Sequence, residues 1–177
     1  MIRRTFLAAL AATGIMLASG ANAASPDNTL ILETSKGKVT IELRPDLAPK
    51  HVAQIKTLVG KHFYDGIIFH RVIEGFMAQT GDPTGTGMGG SDLPDIPAEF
   101  SKAHFGRGAV GMARAQDPDS ANSQFFIMFD DGSFLDGQYT VWGQVTDGMD
   151  VVDKINRGEP PANPDKIVKA RLASDPN

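Results

Sequence analysis

The chain has no cysteine, a single tryptophan and two tyrosines, and no run of basic residues in its 177 positions. The lack of cysteine excludes disulfides, thiol nucleophiles and cysteine-ligated metal sites, although it does not conflict with an oxidising destination. The formal net charge is −4. An acidic chain without a basic stretch is a poor candidate for binding nucleic acid or anionic lipid.

A membrane anchor is also not expected, because it would need about 20 consecutive apolar residues. The uncharged run from Phe6 to Leu17 follows Arg3 and Arg4 and leads to Ala21 to Ala23, which has the small-x-small form of a signal-peptidase site. We therefore predict a cleaved signal peptide over residues 1–23. Export to the periplasm would follow, or secretion if the cell has one membrane. The paired arginines fit the general secretory route and the twin-arginine route alike.

Cleavage after Ala23 would leave residues 24–177, enough for one domain with a full core and too few for two typical ones. The loss of Arg3 and Arg4 would take the formal charge from −4 to −6. The mature product is therefore expected to be a single acidic domain.

Short segments with strand-like alternation dominate this domain. Two of them flank residues 35–37, which predicts a β-hairpin. Helical spacing occurs from Ala48 to Gly60 and from Met149 to Arg157, the latter with Asp147 near its N-cap. Many short strands and only two helices indicate a mainly β fold, an antiparallel barrel or sandwich. The predicted strands are Leu30–Thr34, Lys38–Leu43, Ile67–Ile73, Phe76–Thr80, Ala109–Ala113, Phe125–Phe129, Thr140–Val145 and Ile167–Leu172.

One arginine, Arg71, stands among the apolar residues Phe69, Phe76 and Met77. Arginine is normally exposed, or paired when buried. The pattern therefore indicates either a strand whose Arg71 faces water or a donor held against a neutral polar group such as an amide. Spacing alone leaves both open. His70 precedes Arg71, and successive strand residues point to opposite faces, so we expect His70 not to share a groove with Arg71.

Other sequence patterns do not support a nucleotide, hydrolase or metal site. Residues 85–90 match the dinucleotide pattern G-x-G-x-x-G, but Pro94 and Pro97 follow where the phosphate-binding helix would begin. No G-x-S-x-G elbow supports a serine hydrolase. The acidic residues Asp130, Asp131 and Asp136 fit no calcium-loop spacing. The four histidines lack zinc-site spacing and are His51, His62, His70 and His104. We therefore expect no metal and no organic cofactor.

Three segments, in this order, resemble the cyclophilin family of peptidyl-prolyl cis-trans isomerases. They are FHRVIEGFMAQ from Phe69 to Gln79, SQFFI from Ser123 to Ile127, and FLDG from Phe134 to Gly137. The resemblance extends, with small gaps, from about Leu30 to about Leu172, and three ordered segments are far more specific than one short motif. It implies a closed eight-stranded antiparallel β-barrel with a helix over each end. It also implies an interior filled with side chains and an active groove on the outer wall.

The resemblance carries roles to individual positions. Arg71 falls on the family's catalytic arginine, and Gln79 could orient Arg71 or hold the substrate carbonyl. The implied proline pocket is Phe76, Met77, Phe126 and Leu135, with Phe76 counted among the catalytic residues. The implied peptide-contacting positions are Gln79, Ala113, Ala115 and Gln124, and one side of the groove is Gly85, Thr86 and Gly87. Alternation along the second segment agrees, because it puts Gln124 and Phe126 on one face and leaves the other face for the core.

Three positions depart from the family pattern. Phe134, which we place in the groove wall, stands where many members carry a tryptophan important for cyclosporin, and this puts binding of that drug in doubt. Tyr139 replaces a frequent histidine, and Arg114 replaces a frequent asparagine. Both changes could alter the preference for the residues that flank proline.

The function implied by the resemblance is acceleration of rotation about X-Pro bonds in unfolded or exported proteins. A closed barrel without free edges would favour a monomer. Two other classes stay open from the sequence. One is a binding module that recognises proline-containing segments in the same groove. The other is a holdase-like chaperone, for which the sequence marks no separate apolar surface.

Overall fold

The computed structural model describes residues 24–175, so the predicted signal peptide at 1–23 lies outside the described residues. The strands are β1 (Thr29–Thr34), β2 (Gly37–Leu43), β3 (Arg71–Ile73), β4 (Met77–Thr80), β5 (Ala109–Met112), β6 (Phe125–Met128), β7 (Val141–Asp147) and β8 (Ile167–Leu172). The helices are α1 (Pro49–Gly60) and α2 (Met149–Val152), and short 3-10 turns occupy Pro26–Asn28 and Ser133–Leu135. Every predicted strand is present, although β3 keeps only the last three residues of its predicted range.

The first two strands form the predicted hairpin. Leu30 pairs with Ile41 and Leu32 with Val39 across the ladder, and all four side chains are buried. The alternation seen in the sequence therefore marks the face that packs into the core.

All eight strands belong to one antiparallel sheet in the order β3-β4-β6-β5-β7-β2-β1-β8. The prediction of a closed barrel is not confirmed. The sheet is curled but open, because no strand ladder joins its two edge strands, β3 and β8, within the described residues. The segment before β3 was predicted to be strand, but it meets the 165–167 segment only through single backbone contacts, such as Phe69 N to Asp165 O at 2.8 Å.

Helix α1 packs one apolar stripe against the sheet, as predicted. It begins at Pro49, whose ring suits a first helical turn. The carboxylate of Glu99 accepts hydrogen bonds from the backbone N–H groups of Lys50 and His51 and so caps the helix from a distant loop. The buried apolar residues of the stripe are Val52, Ile55, Leu58 and Val59.

Helix α2 is shorter than predicted. It covers four residues instead of the range to Arg157, and its N-cap is Gly148, with φ of 92°, instead of Asp147. After Val152 the backbone tightens into turns of the i to i−3 type, such as Ile155 N to Val152 O at 3.1 Å. None of the helices in residues 24–175 combines the length and hydropathy needed to cross a bilayer.

Two apolar clusters lie on opposite faces of the sheet, and β6 contributes to both. Phe125 and Ile127 belong to the larger cluster, whereas Phe126 and Met128 belong to the smaller one. This confirms the predicted alternation along β6. In the larger cluster the ring of Phe125 lies edge-on to Tyr64 and Trp142, with centroids 5.4 and 5.3 Å away.

Candidate active site

A groove of about 960 Å³ opens over the smaller apolar cluster, on the side of β3, β4 and β6 that faces away from the larger core. Strands, loops and the 3-10 turn at Ser133–Leu135 all contribute to its walls. Its lining residues are His70, Arg71, Phe76, Met77, Gln79, Gly85, Thr86, Gly87, Ala113, Arg114, Phe126, Phe134, Leu135, Gln138, Tyr139, Glu159 and Pro160.

The structure brings together nearly all of the residues that the sequence singled out. Of the predicted site residues, only Ala115 and Gln124 fall outside this groove. Both line a smaller adjoining groove of about 450 Å³, which shares Gln79, Gly87, Ala113 and Arg114 with the first. The two grooves therefore form one continuous surface across β4.

The floor of the groove is apolar and tightly packed. Met77, Phe126 and Leu135 are buried there. The ring of Phe126 stacks on Phe105 with centroids 5.7 Å apart. Gly111 makes this possible, since a Cβ at that position would lie 2.5 Å from both rings. The floor is thus a rigid recess of a size and polarity suited to a small apolar ring.

Two aromatic side chains form the rim above this floor. Phe76 and Phe134 face each other with ring centroids 5.4 Å apart. Phe134 is 62% exposed although it is a large apolar residue. An exposed phenylalanine held beside a groove by another ring is available to contact a bound chain.

Arg71 stands at the side of the groove on the edge strand β3. Its side chain is 42% exposed, and Nε donates to Glu159 Oε2 at 3.0 Å. Gln79 lies directly opposite Arg71 in the ladder between β3 and β4. Of the apolar residues near Arg71 in sequence, Phe76 and Met77 line the groove, whereas Phe69 is fully buried in the larger core.

The glycine-rich loop, residues 81–90, folds around the buried carboxylate of Asp82. Oδ1 accepts from Thr84 N and Thr84 Oγ1, both at 2.8 Å, and Oδ2 accepts from Gly87 N at 2.6 Å and Gly89 N at 3.2 Å. Burial opposes ionisation of Asp82, but these hydrogen bonds outweigh it and lower its pKa to about 2. The loop is therefore organised by a group that is charged at neutral pH and lies beneath the groove wall.

His70 corrects one expectation. It lines the groove beside Arg71 instead of facing away from it. The rule that successive strand residues point to opposite faces does not apply to His70, because β3 begins only at Arg71. The imidazole is buried, and within residues 24–175 neither ring nitrogen has a hydrogen-bond partner. Burial lowers the pKa of His70, with the Asp82 carboxylate opposing the shift and Arg71 adding to it.

Arg114 and Tyr139, two positions that depart from the family pattern, pack against each other. The Arg114 guanidinium lies 4.4 Å from the centre of the Tyr139 ring. Its Nη groups donate to the carbonyl oxygens of Ala115, Gln116 and Gln138. Most of its donors are therefore engaged, and Arg114 braces the groove wall.

Besides His70, three lining residues were not found by sequence reasoning: Gln138, Glu159 and Pro160. Glu159 and Pro160 come from the stretch after α2, nearly 90 positions from Arg71, and no local pattern marks them. In residues 24–175 there is no cluster of three or more histidine, aspartate or glutamate side chains arranged to hold a metal ion.

Comparison with known proteins gives a consistent result. Residues 29–172 match the sequence model of the family described as cyclophilin type peptidyl-prolyl cis-trans isomerase/CLD. A protein of Brucella suis named probable peptidyl-prolyl cis-trans isomerase is 58% identical over 184 residues, covering 95% of this chain and 94% of that protein. A peptidyl-prolyl cis-trans isomerase of Schizosaccharomyces pombe is 41% identical over 78% of this chain and 95% of its own length.

Solved structures agree with the sequence comparisons. A cyclophilin from Hirschia baltica superposes with a TM-score of 0.81 at 35% identity, covering 87% of this chain and 77% of that one. A cyclophilin-type isomerase of Cryptosporidium parvum, crystallised in the presence of the dipeptide Ala-Pro, superposes with a TM-score of 0.77 at 29% identity, covering 83% and 99%. The fold and the groove define a cyclophilin-like protein. The chain belongs to the cyclophilin family and is a peptidyl-prolyl cis-trans isomerase.

Proposed function

We propose that Arg71 lowers the barrier to X-Pro rotation by stabilising the twisted amide while the groove floor holds the proline ring. The barrier of about 18–20 kcal/mol comes from the partial double-bond character of the amide. In the twisted state the nitrogen recovers its lone pair and becomes a hydrogen-bond acceptor. A donor that favours this state over the planar amide speeds rotation without any bond being made or broken.

The observation that carries the proposal is the position of Arg71 beside a buried apolar recess. A guanidinium stays protonated and presents several donors in a rigid fork. Met77, Phe126 and Leu135 lie in the same groove and exclude water from its floor. A contact between a donor and the amide nitrogen is stronger where water is excluded. Gln79, opposite Arg71 in the ladder, is placed to hold the substrate carbonyl.

The required barrier lowering is compatible with contributions from both Arg71 and the apolar groove floor. Uncatalysed X-Pro bonds isomerise in roughly tens to hundreds of seconds, so a turnover of about 10³ per second requires the barrier to fall by about 7 kcal/mol. One preorganised donor supplies about 3 to 4 kcal/mol. Ring binding and removal of water must supply the rest, so loss of Arg71 should reduce turnover far more than affinity.

The Arg71→Lys variant tests whether the fork geometry is required. Lysine keeps the charge but offers a single ammonium on a flexible stem. Turnover is expected to fall at least about tenfold in Arg71→Lys while peptide affinity stays within about twofold. A lysine variant with nearly wild-type turnover would show that charge alone suffices and would contradict the proposed geometry.

We further propose that the substrates are X-Pro segments of exported proteins during folding, and that the enzyme acts in the periplasm or outside the cell. The support is the signal-peptide pattern over residues 1–23. Cell fractionation with N-terminal sequencing tests it. A mature chain that begins at Ala24 in the exported fraction is expected, whereas a cytoplasmic chain that retains residues 1–23 would contradict export.

The sequence alone left open a module that only recognises proline-containing segments in the same groove. Membership of an isomerase family favours catalysis over binding alone. Faster cis-trans exchange of a bound peptide separates the two, since a pure binding module would bind the peptide without accelerating exchange.

A further inference from the structure

Glu159 holds the guanidinium of Arg71 from the neighbouring segment of backbone. Its Oε2 accepts a hydrogen bond from Arg71 Nε at 3.0 Å, and both residues line the groove. Among residues 24–175 this is the sole hydrogen bond that the guanidinium makes. The N–H groups of both Nη atoms are therefore available to donate to a bound peptide. The carboxylate thus engages the one nitrogen that is least able to reach a bound peptide, because Nε lies within the side-chain stem.

The backbone fixes the position of Glu159. Gly158 and Val72 exchange two backbone hydrogen bonds, at 2.8 and 2.9 Å, and Val72 directly follows Arg71 in β3. Gly158 has φ of +145°, and a Cβ there would lie 2.5 Å from Pro161 Cα. Only glycine fits such a position. This pairing brings residue 159 alongside residue 71.

A second contact fastens the same segment to the hairpin of β3 and β4. Arg157 Nε donates to Glu74 Oε2 at 2.6 Å, and Glu74 lies in the turn of that hairpin. The Arg157 guanidinium also lies 4.1 Å from the centre of the Phe129 ring. Glu159 is therefore carried by a segment attached at two points to the element that bears Arg71.

An exposed arginine side chain loses considerable rotamer freedom when it is fixed. The Arg71 and Glu159 side chains are 42% and 52% exposed, and exposed ion pairs contribute little to folding stability. The contact is thus expected to matter for the orientation of the guanidinium more than for the stability of the fold. The hydrogen bond at Nε fixes the orientation of the guanidinium plane. Because the group is planar, this also fixes the directions in which both Nη groups point.

We propose that Glu159 is a positioning residue, whose carboxylate fixes the plane of the Arg71 guanidinium so that the Nη groups meet the X-Pro amide. This rests on the proposed role of Arg71. Charge alone predicts the opposite effect, because a carboxylate beside Arg71 reduces the local positive potential, and its removal would then raise the rate. The sign of the rate change therefore separates positioning from simple electrostatics.

The test compares Glu159→Ala with Glu159→Gln by cis-trans exchange of an Ala-Pro peptide, measured by NMR over a range of peptide concentrations. We expect kcat to fall about three- to fivefold in Glu159→Ala, with KM within about twofold. Glutamine keeps an oxygen that can accept from Nε, so Glu159→Gln is expected to recover most of the lost kcat. The Arg71 Nε–H signal should exchange with water faster in Glu159→Ala than in the wild type.

Glu33→Ala is the matched control. Glu33 is a comparably exposed partner of an arginine, Arg171, in a pair that joins β1 to β8, and neither residue lines the groove. The kcat of Glu33→Ala should equal that of the wild type.

The outcomes separate the two hypotheses. An unchanged or higher kcat in Glu159→Ala, or equal losses in the alanine and glutamine variants, overturns the positioning role. If Arg71→Ala itself keeps wild-type turnover, the role of Arg71 fails instead, whatever the Glu159 variants do.

Discussion

Gln79 Nε2 donates to Gln124 Oε1 at 2.8 Å, so the glutamine opposite Arg71 is held by a side chain that lies immediately before β6. The amide nitrogen of Gln124 in turn donates to the carbonyl oxygens of Gly87 and Gly89, at 3.0 and 2.8 Å. A continuous path of hydrogen bonds thus joins the groove to the loop that Asp82 organises. Placement of Gln79 therefore depends on Gln124 and, through it, on the backbone of the glycine-rich loop.

Replacing Gln124 with leucine should therefore reduce catalysis. The change keeps the volume but removes the hydrogen bonds to Gln79 and to both glycine carbonyls. We expect kcat/KM to fall about five- to tenfold, the usual effect of one or two lost positioning contacts. Gln144→Leu is the control, because Gln144 also donates to backbone carbonyls but lines neither groove. Peptide exchange by NMR measures both, and equal losses in the two variants would contradict the path.

Asp82 should make stability depend on pH in the acid range. Its pKa is lowered in the folded state to about 2, so its contribution is complete above the unfolded value and is lost as the pH falls from about 4 towards 2. Asp82→Asn should lower the free energy of unfolding by about 2 kcal/mol at neutral pH. Urea unfolding at several pH values measures this. A difference between wild type and variant that stays constant down to about pH 2 would be the contrary result.

His104 should stabilise the turn that carries Phe134 and Leu135. Its Nδ1 lies 2.8 Å from Asp136 Oδ2 and its Nε2 lies 2.8 Å from Asp131 Oδ1. The hydrogen bond to Asp136 is the main cause that raises the pKa of His104, and Asp131 adds to it. A raised pKa gives stability that is complete below about pH 6.5 and is lost as the pH rises through the folded value. Urea midpoints should show a larger cost of His104→Gln at about pH 5.5 than at about pH 9, and equal costs would refute the link.

Gly111→Ala should damage both stability and activity. Its methyl group would lie 2.5 Å from the rings of Phe105 and Phe126, so the groove floor would have to move. Overpacking of this kind costs about 1–3 kcal/mol. Gly60→Ala is the control, since a Cβ at the end of α1 meets nothing within 4 Å. Thermal unfolding and peptide exchange together measure the effect, and a Gly111→Ala enzyme as stable and active as Gly60→Ala would disprove the packing argument.

Most of the groove could be predicted from the family resemblance, because only four of its lining residues lie in strands: Arg71, Met77, Gln79 and Phe126. Strand alternation agrees for Phe126 on β6 and Met77 on β4, which both lie on the groove side of the sheet. His70 could not be placed this way, because the strand begins one residue later and irregular backbone sets its direction. No sequence pattern predicts that Glu159 lies beside Arg71. Their contact depends on the backbone pairing of Val72 with Gly158, which are far apart in sequence.

Closure of the barrel is not confirmed, for a related physical reason. The residues before β3 are apolar enough for a strand, but closure needs a regular ladder with a matching partner. Asp165 instead turns its carboxylate to Ser35 Oγ and Asn156 N, at 2.7 and 2.8 Å. The segment before β8 is therefore held by these side-chain contacts together with single backbone hydrogen bonds to residues 66–69, and no regular ladder closes the sheet.

The exchange rate of an Ala-Pro peptide, measured by NMR with residues 24–177 and with their Arg71→Ala variant, tests the central claim most directly. The account predicts rapid exchange in the wild type and a loss of at least about a hundredfold in turnover in the variant, which matches one preorganised donor. Peptide binding should weaken much less. An Arg71→Ala enzyme that binds the peptide and keeps most of its turnover would contradict the account.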